Sequence, residues 1–73
     1  TMTTVKAVED KLVMQQKTNN NAYMTPTKNM KDWYKDELLF VRKVTKDNVV
    51  VYRSMDGQLY TLNNTNLINF KLL

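Results

Sequence analysis

The side chains best equipped to meet a ligand are the chain's two arginines, Arg42 and Arg53, and the nearby Tyr60. Arginine forks a phosphate with paired N–H donors, and a tyrosine ring can stack on a base. All three lie in a stretch of β-forming residues, DELLFVRKVT, VVVYRSM and QLYTLNN, broken by Lys46-Asp47-Asn48 and Asp56-Gly57. Reading Asp47-Asn48 and Asp56-Gly57 as two-residue hairpin loops sets the register, with Arg42 opposite Arg53 and Arg53 opposite Tyr60. Like charges directly opposed on neighbouring strands repel, so this row calls for a compensating anion. Two sources are open. A bound nucleic acid is one, with Lys43, Lys46 and Tyr52 adding to the surface. The other is internal: Asp32, Asp36 or Glu37 folds over the pair, or a guanidinium stacks on Tyr60.

Lys28, Lys31 and Lys35 around Trp33 form a second set. On a helix they would line one stripe able to follow a phosphate backbone. The alternative is a solvated face with Trp33 as a plug in the core.

Residue types exclude most other chemistry. With no histidine and no cysteine, there is no imidazole or thiolate metal site, no disulfide and no histidine-activated nucleophile. A single glycine precludes a glycine-rich phosphate loop. Asp36 and Glu37, adjacent in sequence, point to opposite sides if they are in a strand. No catalytic residue, metal or cofactor is expected. Eleven Lys and Arg against seven Asp and Glu give a net charge of +4, which favours an anionic partner.

The elements that must position these residues follow from pattern. Seventy-three residues make one small domain, 1–73, with residues 1–10 either a short helix or a frayed arm. A chain of this size buries only about 60% of its unfolded surface. Packing must therefore be helped by regular sheet bonding, a partner or self-association, so a homodimer is open. Thr1 precedes Met2 and reads as a remnant of cloning. No apolar run approaches the ~20 residues of a membrane span and no signal peptide opens the chain, so a cytoplasmic protein is expected.

Val5, Val8 and Leu12 have helical spacing, with Thr4 as a cap. Lys11–Thr18, Asn19-Asn20-Asn21 and Ala22–Thr27 read as a hairpin, with Pro26 ending its second strand or confining it to an edge. Residues 29–36 read as a short helix capped by Asn29, or as an irregular loop carrying Trp33 inward. Three strands follow, then a break at Asn63–Asn66 and a last strand, Leu67–Leu73. Met14 and Met24 suit core filling.

Strand, tight turn, strand, glycine turn, strand, polar corner and last strand over residues 36–73 resemble the back half of an SH3-like small β-barrel. The resemblance implies a mainly β, SH3-like curled barrel or antiparallel meander. It also implies a class that mostly binds RNA, DNA or protein and is rarely catalytic. The residues that would line a proline-rich-peptide groove are not in this chain. The expectation is a non-catalytic module that binds nucleic acid through a basic and aromatic sheet face. The alternative is a protein-interaction module, such as a small phage-type accessory or inhibitor gripping a larger machine. It would use a sheet edge left open by Pro26 or by Leu67–Leu73.

Overall fold

A computed structural model describes residues 2–73; Thr1, and its reading as a cloning remnant, lie outside the described residues. The protein is mainly β. Helix α1 (Val5–Lys17) precedes strands β1 (Tyr23–Pro26), β2 (Leu39–Val44), β3 (Asn48–Arg53) and β4 (Gln58–Asn63). A one-turn helix α2 (Asn64–Leu67) then leads to strand β5 (Phe70–Leu72). The strands form one antiparallel sheet in the order β4-β3-β2-β1-β5. Among the described residues, no helix is long and apolar enough to cross a membrane.

Thr4 caps α1 as expected, its hydroxyl accepting the Ala7 N–H at 3.1 Å. The helix does not stop there, and the expected strand over Lys11–Thr18 is wrong. Leu12 continues the stripe of Val8, and Leu, Met, Gln and Lys are all good helix formers. The asparagines end the helix instead of joining two strands. Asn19 takes a left-handed φ of 58°, while the N–H groups of Asn19 and Asn20 bond the carbonyls of Gln16 and Gln15. That is a Schellman stop. In consequence Met14 lies 65% exposed on the helix surface, whereas Met24 is fully buried.

Pro26 does end β1, but β1 is an interior strand. Its pairing with β2 finishes at Met24 opposite Leu39, so Pro26 pairs only with Phe70 of β5. Residues 29–36 form bends and turns, not a helix, which removes the expected lysine stripe. The break at Asn63–Asn66 is α2, capped reciprocally by the Asn63 and Asn66 side chains.

Alternation along the strands sends Met24, Leu39, Val41, Val49, Val51, Leu62 and Phe70 to one side, which we call inner. There they pack with Val5 and Val8 of α1 and with Leu67 of α2. Among the described residues the other, outer side carries no helix.

Both hairpin registers differ from the expected ones by a turn effect. The first loop turns at Lys46-Asp47, where Thr45 N–H bonds the Asn48 carbonyl at 2.8 Å, one residue earlier than expected. The second spans Ser54–Gly57, and Arg53 pairs with Gln58. A type I′ loop needs positive φ at both central residues, and only Gly57, at 69°, supplies it. A Cβ placed on Gly57 would meet only the Tyr52 hydroxyl oxygen, at 3.8 Å. The constraint is therefore conformational and not steric crowding. Gly57→Ala should cost about 1–2 kcal/mol in urea unfolding, and Gly57→Asn clearly less, because asparagine tolerates the left-handed region. Equal losses would show that space, not φ, governs the position.

Candidate functional site

The two arginines part company. A β-bulge leaves Arg42 without a partner, between Val41 opposite Val51 and Lys43 opposite Val50. The extra residue keeps both Val41 and Val44 turned inward while Arg42 and Lys43 lie side by side and exposed. Arg53 pairs with Leu39 on the inner side, so Arg42 and Arg53 do not share a face and the expected Arg42/Arg53 row is not formed.

Arg53 is held by the protein itself. Its Nε and Nη2 bond the Glu37 carboxylate at 2.8 and 3.0 Å, in the bidentate geometry that suits a guanidinium. Both side chains are only 8% exposed. Nη2 also donates to the Asp32 carbonyl, and Nη1 lies 3.5 Å from Asp56 Oδ2. The guanidinium carbon sits 4.2 Å from the Trp33 ring centroid and 5.2 Å from that of Tyr60. Trp33 meets Tyr60 and Phe70 edge-on, at 5.0 and 5.3 Å. The Glu37 bonds, foremost, hold Arg53 charged well above its ordinary range. Of the two anion sources open from sequence, the internal one is realised at Arg53. Trp33 is the plug of an irregular loop, and Lys28, Lys31 and Lys35 are exposed on that loop without a common stripe.

Tyr60 belongs to this clamp. Its hydroxyl donates to Asp56 Oδ2, and Asp56 Oδ1 accepts the Gln58 N–H at 3.1 Å. The Tyr60 hydroxyl, ahead of Gln58 and Arg53, holds the Asp56 carboxyl below its ordinary range, and the same bond raises the Tyr60 phenol.

The outer face gathers what remains of the expected site and adds residues that were missed. Across the five strands, Leu73, Tyr23, Phe40, Tyr52 and Leu59 stand in one row. Leu73 joins it through its N–H to the Tyr23 carbonyl at 3.0 Å, just past the end of β5. The three aromatic residues are half-buried, and Leu59 is 61% exposed. Tyr23 and Phe40 meet edge-on at 5.4 Å, and the Arg42 guanidinium lies 5.6 Å from the Phe40 centroid.

Arg42, Lys43 and Lys71 are the exposed cations of the strands, and Lys46 lies in the adjoining turn. Among the described residues none of these four is in an ion pair. No strand contains an aspartate or glutamate; all seven acids sit in α1, loops or turns. The signal for Tyr23 and Phe40 was their alternation with buried aliphatic neighbours, but their union with Tyr52 needs β1 to slot between β2 and β5.

Among the described residues no pocket opens in the surface and no group of acids could hold a metal. Compared with known protein families, curated proteins and solved structures, the chain finds no match.

Removing one partner of a buried ion pair strands the other in low dielectric. Arg53→Ala should therefore lower unfolding free energy by about 3–5 kcal/mol, whereas Arg42→Ala, at an exposed site, should stay within about 0.5 kcal/mol. Similar small losses for both in denaturant titration would refute the clamp. The pH behaviour follows from the two shifts. A depressed Asp56 contributes stability above its unfolded pKa and loses it as pH falls through the lower folded value. A raised Tyr60 contributes below its unfolded pKa and loses it as pH climbs through the higher folded value. Tyr60→Phe should move the Asp56 titration upward toward the ordinary carboxylate range, read by carboxyl NMR; an unmoved titration removes the hydrogen bond as its cause.

Proposed function

We propose that the protein is a non-catalytic module that binds single-stranded nucleic acid on the outer face of its sheet. The observation that carries this reading is the aromatic row Tyr23–Phe40–Tyr52 on a face no other element covers, beside cations with no internal partner. Every base has a π face, so rings on a sheet take bases of any sequence, provided the bases are unpaired and free to leave their own stack. Tyr23 and Tyr52 take the stacking role. Phe40 is a pedestal: its ring is met by Tyr23 and by Arg42, and it orients the Arg42 fork toward a phosphate. Lys43, Lys71 and Lys46 add charge along the backbone path.

The absence of carboxylates from the strands supports the same reading, since no strand residue sets a fixed negative charge against phosphate. Arg53 and Tyr60 are left out of the contact set because the clamp already uses them. Likeness of residues 36–73 to small SH3-like barrels favours binding over catalysis, and a cysteine-free composition fits action in the cytoplasm.

Fluorescence anisotropy with labelled single strands of about ten nucleotides, a length within the usual site sizes, tests this. Tyr52→Ala should weaken binding on the order of 5- to 100-fold, the loss of one stacked base. Log affinity should fall linearly with log salt, and Arg42→Ala should flatten that slope by about 0.7. Arg53→Met paired with Glu37→Leu should leave affinity unchanged where the fold is retained. Binding that ignores salt and Tyr52, or no binding at all, would assign the row to a protein partner.

A further inference from the structure

We propose that the chain self-associates through the open edge of β4, a second copy adding its own β4 antiparallel so that the sheet continues across a two-fold axis. A sheet has two edges, and in this protein they are treated differently. The β5 edge is three residues long, and its Phe70 carbonyl is taken by the Thr3 hydroxyl at 2.8 Å. Of the openings expected from sequence, the one at Pro26 is not formed, because Pro26 lies inside the sheet; the one at Leu67–Leu73 is reduced to the short, partly capped β5 edge. The β4 edge is six residues long and pairs with β3 without interruption.

In an antiparallel ladder alternate residues aim both N–H and C=O away from the neighbour, so one side of β4 carries unpaired backbone groups. Within the described residues, no group outside β3 bonds the main chain of Leu59–Leu62. Natural edges are normally guarded by a lysine or other charge, a proline, a bulge or brevity. Gln58–Asn63 has none of these.

The occupant that fits is a copy of the same strand. Because β4 carries no charge, two-fold pairing sets no like charges opposite one another. An axis normal to the sheet matches outer face to outer face. It then brings Thr61 opposite the second copy's Thr61, or Leu59 opposite its Thr61. Leu59 is the exposed end of the aromatic row, so the two rows reach the same seam, offset along it, and the sheet doubles to ten strands (twice the five observed). A chain this small also gains core and sheet bonding by association.

The proposal does not rest on nucleic-acid binding, and its test contains no nucleic acid. Sedimentation equilibrium of the full chain should show a concentration-dependent shift from one chain mass to two. Amide hydrogen exchange at high concentration should slow within Gln58–Asn63 and not at Phe70–Leu72. The double variant Leu59→Lys/Thr61→Lys, at two exposed positions, should stay monomeric with an unchanged circular-dichroism melt; Thr61→Lys alone should weaken association at least tenfold. A single chain mass up to about 1 mM would overturn the proposal, as would slowed exchange confined to other segments, or undiminished dimer in the lysine variants. An edge that takes only a foreign strand would show as the first of these.

Discussion

A guanidinium taken out of water must find its full set of partners inside the protein, and around Arg53 that requirement organises the fold. The Glu37 carboxylate, the Asp32 carbonyl and the faces of Trp33 and Tyr60 all converge on it. These groups come from two places in the chain, the long connection between β1 and β2 and strand β4, and meet Arg53 at the end of β3. The clamp thus does for the connection what a helix would otherwise do, fixing an irregular segment over one end of the core. Burying an ion pair carries a desolvation cost of several kcal/mol per ion, so the arrangement is weak evidence of net stability. Its value lies in specifying one placement for a segment with little regular structure of its own.

The bulge at Arg42 is the complementary constraint. Without an extra residue, keeping Val41 inward would turn Val44 outward; with it, both face the core and Arg42 and Lys43 emerge together. The same local irregularity that preserves the core therefore concentrates charge on the far side. Arg53 uses its donors internally, and among the described residues Arg42 has no ion-pair partner. One arginine is structural and the other is presented, although nothing in their immediate sequence, VRKV and YRSM, separates them.

That distinction marks where legibility ends. Runs of β-branched and aromatic residues made β2, β3 and β4 readable, and Thr4 with Val5, Val8 and Leu12 marked the start of α1. The left-handed tendency of the asparagines was also readable, but a left-handed residue serves a helix stop as well as a hairpin loop. Lys11–Lys17 lacks any glycine or proline to decide between them. Registers failed because each loop was read as the two residues Asp47-Asn48 or Asp56-Gly57, whereas the first turns one residue earlier and the second takes four residues with positive φ only at Gly57. The shift in the second hairpin was even, so Arg53 and Tyr60 stayed on one face; the bulge in the first made its shift odd, which separated the arginines. The pairing of Arg53 with Glu37 and the plugging by Trp33 were each one of two open readings. The row through Tyr23 was out of reach because it depends on β1 inserting between β2 and β5, contacts made across most of the chain.

Net charge alone gives a poor measure of what a partner would meet. A value of +4 spread evenly over a small surface would be a weak attractant. The fold segregates it. Glu9 and Asp10 are bridged by Lys6 on α1, while Glu37 and Asp56 are drawn into the Arg53 clamp. In each cluster the cation offsets one of its two acids, and both clusters draw on acids outside the strands; Arg42, Lys43 and Lys71, which are in no ion pair among the described residues, stand among rings with no carboxylate in any strand. Screening limits such fields to about 8 Å at physiological salt. Local arrangement of this kind, more than the total, decides which face an anion approaches.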